Sequence, residues 1–203
     1  MKIEVLNHAA VKLTAEKIFY FDPYEIKNDY HDADYIFITH DHYDHYDDDS
    51  IKKVSNENTK LIVPECLKDI ENSYLVVEPN KEYTLDNTYF FQTIPAYNTN
   101  KAFHPKEKNY VGYNILINGL YYYIMGDTDR TPETDNVKTD ICFVPIGGTY
   151  TMDTQEASEY INYLQPKKCI PIHYGKVVGD MNMPNIFKEK INKNIEVEIL
   201  INN

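Results

Sequence analysis

The chain has 203 residues, 42% hydrophobic and 26% charged, with a formal net charge of -12. That length suits a single domain over residues 1–203 with a sizeable core, and the acidic balance excludes binding through a nucleic-acid backbone, which needs a basic surface. It does not exclude a small anionic substrate, because a bound cation reverses the local field.

Three short strands are predicted first, over residues 3–6, 10–13 and 18–21. His8 follows the first. The third closes at Asp22-Pro23, because proline cannot continue a ladder. Residues 24–34 are polar and read as a loop. Residues 35–38 are an apolar run, the mark of a buried strand. They lead into Thr39-His40-Asp41-His42-Tyr43-Asp44-His45, after which Asp47-Asp48-Asp49-Ser50 opens a helix over 50–57. A strand at 61–63, a short helix at 64–70 and a strand at 74–77 follow. Residues 82–97 read as two strands with a turn near Asp86-Asn87, then a polar loop carries His104. Asn118-Gly119 between two apolar runs predicts a hairpin of 112–117 with 120–125, ending in Gly126-Asp127. A strand at 141–145 runs into Gly147-Gly148-Thr149-Tyr150. A helix is expected over 153–164, a strand over 168–172 that ends in His173-Tyr174-Gly175, a helix over 183–192 and a closing strand over 195–201. Two sheets with helices outside would bury these runs.

No apolar run approaches the ~18 residues of a membrane span, and the first residues lack the apolar core of a signal peptide. Cys66, Cys142 and Cys169 show no metal spacing, and an odd count without C-x-x-C suggests a reducing compartment. A cytoplasmic protein is expected, with no membrane or nucleic-acid partner.

Three of the seven histidines fall at positions 40, 42 and 45, interleaved with two carboxylates. In an extended segment His40 and His42 face one side together. A bend at Tyr43 turns Asp44 and His45 towards a neighbouring position. Imidazole nitrogen and carboxylate oxygen are ligands of zinc, iron and manganese. One loop could thus feed two metal positions about 3.5–4 Å apart, as in two-metal hydrolysis. The bland alternative is a solvated polar loop, which a motif of this density disfavours. Asp127 and His173 each follow an apolar strand beside a glycine. Alone, each reads as a turn residue or a satisfied histidine.

Residues 39–45 match T-H-x-H-x-D-H at every fixed position. In this the chain resembles the metallo-β-lactamase superfamily, and most closely its small metal-dependent hydrolases, over nearly its whole length. The resemblance implies an α/β fold, the αββα four-layer sandwich, with two mixed sheets, helices on the outer faces and a site along one edge. It implies Asp44, His45, Asp127 and His173 around one ion, with Asp127 bridging to a second. It gives Asp22 the role of orienting the metal-binding loop by hydrogen bonds and places His8 near the site. The other ion would take His40, His42 and a third histidine from a strand end in mid-chain. Here that position falls on Asn98, a weaker ligand, and His104 six residues later is the alternative. One or two divalent ions are therefore expected, zinc first, with manganese and iron as alternatives.

The function implied is hydrolysis of a small carbonyl or phosphoryl ester: a lactone, an amide or a phosphodiester. Metal lowers the pKa of bound water from about 15.7 to about 7, giving hydroxide at neutral pH. Asp44 would orient the nucleophile or take up its proton. The other metal or His104 would polarise the oxygen that gains charge. Thr149 and Tyr150 would contact substrate or the developing oxyanion, or form a plain turn. Two other classes compete. Di-iron members of the superfamily reduce oxygen or nitric oxide, but typically carry Glu where His42 stands and need a flavin domain. A non-catalytic metal-binding protein is the alternative that Asn98 keeps open. The expected partner is a small-molecule substrate; a homo-oligomer is left open.

Overall fold

The computed structural model describes residues 1–201. Side chains alternate along a strand, and this decides which layer each residue enters. In β4 (Tyr35–Phe37), Tyr35 and Phe37 enter a core between two sheets, while Ile36 faces outward. In β11 (Ile141–Pro145), Ile141 and Phe143 face that same core, and Cys142 and Val144 face outward under helices. Both strands are buried on both faces, as parallel strands covered by helices should be.

The first sheet runs in chain order: β1 (Lys2–Asn7), β2 (Ala10–Thr14), β3 (Ile18–Phe21), β4, β5 (Lys60–Pro64) and β6 (Leu75–Val77). Its first two pairings are antiparallel and the rest parallel. The second sheet joins β7 (Glu82–Leu85), β8 (Tyr89–Pro95), β9 (Val111–Ile117), β10 (Leu120–Ile124), β11, β12 (Lys168–Ile172) and β13 (Glu196–Val197). It is antiparallel from β7 to β10 and parallel beyond. Between the sheets, the Phe37 ring meets Phe91 edge-on at 5.3 Å and Tyr113 at 5.0 Å. α1 (Asp48–Val54) covers the outer face of the first sheet through Val54; α2 (Thr154–Leu164) and α3 (Met183–Lys190) cover the second through Ala157, Tyr160, Ile161 and Phe187. The expected αββα layering is what forms.

Three of the differences in element boundaries have a local cause. α1 starts at Asp48 because Asp47 caps it, accepting from the Asp49 backbone at 3.2 Å and from the Ser50 hydroxyl at 2.6 Å. The helix expected at 64–70 is a single 3-10 turn, Glu65–Leu67. Pro64 stands at its start and gives no side-chain cap, whereas Asp47 caps the equally short α1. The closing strand pairs only at Glu196–Val197; Leu200 and Ile201 pack against the inter-sheet core instead.

Candidate metal centre

The strand ends β3, β4, β10 and β12 deliver Asp22, the 39–45 loop, Asp127 and His173 to one edge of the sandwich, and the turn between β1 and β2 adds His8. Every histidine but His31 lies in this cluster; His31 is on the surface, bonded to the Ser55 carbonyl. Donor atoms of His40, His42 and His104 lie within 4.8 Å of one another. So do those of His8, Asp44, His45 and His173, and those of His40, His45 and Asp127. Asp127 ties the groups together: Oδ2 is 3.0 Å from His173 Nε2 and 3.3 Å from His104 Nε2, while Oδ1 is 3.3 Å from His45 Nε2. Asp41 turns away to accept from the Tyr110 hydroxyl at 2.7 Å, and Tyr43 is 66% exposed.

The ring protons are placed by neighbours. Asp22 accepts from the Thr39 backbone at 2.7 Å, from the Thr39 hydroxyl at 2.6 Å and from His45 Nδ1 at 2.8 Å. The Thr39 hydroxyl, having donated to Asp22, accepts from His40 Nδ1 at 2.9 Å. Asn98 Oδ1 accepts from His104 Nδ1 at 3.0 Å. Each of these imidazoles therefore keeps its Nε2 lone pair free, the arrangement found in metal-ligating histidines.

Of these, only His104 Nε2 has a ring nitrogen within hydrogen-bond distance, His42 Nδ1 at 3.2 Å. His40 Nε2, His45 Nε2, His173 Nε2 and Asp127 Oδ1 are buried without a hydrogen bond. The short separations to Asp127 are close in distance but wrong in angle, as when donors aim at a shared point. A buried polar atom without a partner costs about 1–3 kcal/mol. Four together are hard to sustain unless a cation binds them, and the nitrogen and oxygen set suits zinc, manganese or iron.

Electrostatics agree. Burial pushes His8 and His104 down to about 4 and His40 well below its usual range, so all three are neutral donors at neutral pH. Burial also lowers His45 and His173, but Asp127 outweighs it, joined by Asp22 at His45, and raises both, so a cation held at either Nε2 would take the place of a proton. Burial would raise the Asp44 carboxyl, yet His173 and His8 outweigh it and hold the group well below the carboxylate range. The backbone is strained at the same places. His8, Asp22 and His173 have φ of 48°, 44° and 58°, the left-handed region that side chains disfavour. Such outliers persist only where the surroundings over-determine them. Gly147 makes room: a Cβ there would stand 2.3 Å from the His173 carbonyl oxygen.

One expectation needs correction and others become more specific. Asn98 is not turned inward as a ligand; its oxygen serves His104. His104, the alternative to Asn98 at the first position, is the residue that joins His40 and His42. His8 is one of four clustered donors, with Nε2 3.2 Å from Asp44 Oδ2. Thr149 is exposed, and Tyr150 packs edge-on against Phe103 at 4.7 Å while its carbonyl accepts from Asn98 at 3.0 Å. Thr39 and Asp129 were missed as positioning groups. Thr39 opens the motif, and Asp129 alternates with Asp127 along one segment, which is the signal each offered.

A model of the β-lactamase superfamily domain matches residues 2–173. The chain belongs to the metallo-β-lactamase superfamily. It falls among the superfamily's metal-dependent hydrolases. A metal-dependent hydrolase of the UPF0173 group from Pyrococcus horikoshii is 27% identical, over 98% of this chain and 96% of its own length. The crystal structure of a Parabacteroides distasonis protein assigned as a metal-dependent hydrolase superposes with a TM-score of 0.85 at 29% identity, covering 98% of this chain and 91% of that one. Igni18, a metallo hydrolase from Ignicoccus hospitalis, shares the fold with a TM-score of 0.80 at 21% identity, over 97% of this chain and 93% of its own.

Proposed function

We propose that this superfamily member hydrolyses a small, uncharged carbonyl substrate, an ester, lactone or amide, at a two-position cation site, with zinc as the cation the donor set suits best. The observation that carries this reading is the convergence of six imidazoles and two carboxylates, in which His40 Nε2, His45 Nε2, His173 Nε2 and Asp127 Oδ1 are buried without a hydrogen-bond partner. His40, His42 and His104 would hold one cation; Asp44, His45 and His173, with His8 alongside, would hold the other; Asp127 touches both groups. A bound cation supplies Lewis acidity, lowering the pKa of coordinated water and neutralising charge that develops on the substrate oxygen.

The remaining chemistry belongs to the chain. Asp44, held ionised by His173 and His8, is a poor proton acceptor and suits the orienting of a nucleophilic water. Asp22 and Thr39 hold His45 and His40 in the donor tautomer throughout. The neutralised cations near the site residues in sequence favour an uncharged substrate over a phosphodiester. Lys101, Arg130 and Lys176, which flank the site in sequence, are each paired with a carboxylate: Asp129, Asp135 and Glu25. Tyr43 and Phe103, next to the ligands in sequence, expose rings instead, at 66% and 47%.

The reading of a metal-binding protein without turnover drew on an incomplete first position, and His104 beside His40 and His42 removes that ground. No helix of the described residues is long and apolar enough to cross a membrane, and the three cysteines are unpaired, which supports work in a reducing compartment such as the cytoplasm. The test is elemental analysis of the purified protein and a panel of lactones, aryl esters, amides and phosphodiesters, before and after chelation. Turnover of a carbonyl substrate should vanish on chelation and return with zinc. Turnover that survives complete metal removal, or a fully loaded protein inert on the whole panel, would overturn the proposal.

A further inference from the structure

His104 is not mounted on a strand. It hangs from the loop between β8 and β9, and Asn98 brings it to His40 and His42. Three bonds join the pair. The Asn98 backbone N–H donates to the His104 carbonyl at 2.8 Å, and Asn98 Oδ1 accepts from the His104 backbone and from its ring Nδ1, each at 3.0 Å. The amide cannot be reversed without loss. Its Nδ2 donates to the Tyr150 carbonyl at 3.0 Å and to Asp129 Oδ1 at 3.3 Å, and both of those groups are acceptors only. Asp129 is buried and fixed in turn, accepting from the Thr99 backbone at 2.8 Å and from Lys101 Nζ at 2.9 Å. One short segment thus carries both Asp127, which touches His104 Nε2, and Asp129, which sets the amide that holds His104 Nδ1.

We propose that Asn98, locked by Asp129 and the Tyr150 carbonyl, is a positioning residue that keeps the His104 proton on Nδ1 and so makes Nε2 the third nitrogen donor beside His40 and His42. This rests on the cation-site reading above. Without the Asn98 oxygen, the proton is free to move to Nε2, which lies 3.2 Å from His42 Nδ1. A donor nitrogen becomes an N–H, and the ring loses its tether. Loss of a partner of this kind typically weakens metal binding about 10- to 100-fold. The effect falls on the position of His40, His42 and His104, and spares that of Asp44, His45 and His173.

The experiment has two readouts. Nitrogen-15 NMR of the histidine rings in metal-free protein reports the His104 tautomer. Titration of metal-stripped protein with zinc, and with cobalt(II) for its spectrum, reports two dissociation constants. Asn98→Ala should lose the single Nδ1–H signature of His104 and weaken one of the two ions about 10- to 100-fold. Asn98→Asp should also fail, because it sets a carboxylate against Asp129 and the Tyr150 carbonyl. An Asn98→Ala protein with the wild-type tautomer and both constants unchanged would overturn the proposal. Wild-type protein that takes up no ion while His104 keeps its Nδ1 proton would overturn the donor role and the cation reading together.

Discussion

Replacing Asp22 by asparagine isolates one chemical property of the site. Asparagine tolerates the left-handed backbone of Asp22 about as well as aspartate does, so the substitution changes acceptors and not φ. One oxygen still accepts from the Thr39 backbone. The other becomes an NH2 group facing two donors, the Thr39 hydroxyl at 2.6 Å and His45 Nδ1 at 2.8 Å. Hydrogen bonds to a charged group are worth about 1.5–3 kcal/mol each, so the two lost bonds put an upper bound near 3–6 kcal/mol. Relief from burying a carboxylate offsets part of this, which leaves a cost of roughly 2–3 kcal/mol. For a chain of this size each kcal/mol lowers Tm by about 2–4 °C, so metal-free protein should melt about 4–12 °C lower. The local consequence is sharper. His45 must move its proton to Nε2 to avoid facing an amide N–H, and Nε2 is the nitrogen turned to Asp127. Zinc affinity at that position should fall about 10- to 100-fold. Calorimetric melting of stripped protein and zinc titration check both numbers. A variant that melts within about 2 °C of wild type and binds zinc equally would refute the reasoning, because Asp22 would then neither stabilise the loop nor set the His45 tautomer.

Two further substitutions probe the frame of the site. Asp127→Ala removes the carboxylate shared by His45, His104 and His173, and should strip both ions, read by elemental analysis; full metal content would refute the shared role. Gly147→Ala would drive a Cβ into the His173 carbonyl oxygen at 2.3 Å and Val178 Cγ1 at 2.5 Å. Backbone must move to relieve it, at about 1–3 kcal/mol. A lowered Tm with loss of the ion beside His173 is expected, and wild-type values for both would show that the loop gives way freely.

The early motif could be read from sequence because its donors are consecutive: residues 39–45 need only one strand end to bring them together. Asp127 and His173 needed the family order, since nothing in the local pattern of either separates a ligand from a turn residue. His104 could not be assigned, because its place depends on a loop closed by Asn98 onto a carboxylate of a distant segment. Sequence position favoured Asn98, and the hydrogen bonds favour its neighbour. His8 shows the same limit. It sits in a tight turn whose left-handed backbone turns the ring inward, and no side-chain periodicity reports φ. The continuous apolar runs at 35–38 and 141–145, by contrast, placed β4 and β11 correctly, because a strand buried on both faces shows itself locally.

The bond from the His173 backbone to the His8 carbonyl, at 3.0 Å, with the two rings 4.0 Å apart, stitches the beginning of the chain to its last long strand. A growing polypeptide would display His40, His42 and His45 long before β12 exists to bring His173 alongside. During that interval it offers only a partial and feeble grip on a metal ion. Tight capture must wait for contacts between remote segments, the slowest kind to form. Metal uptake would then act as a seal on finished molecules, adding stability only after the whole sandwich has closed.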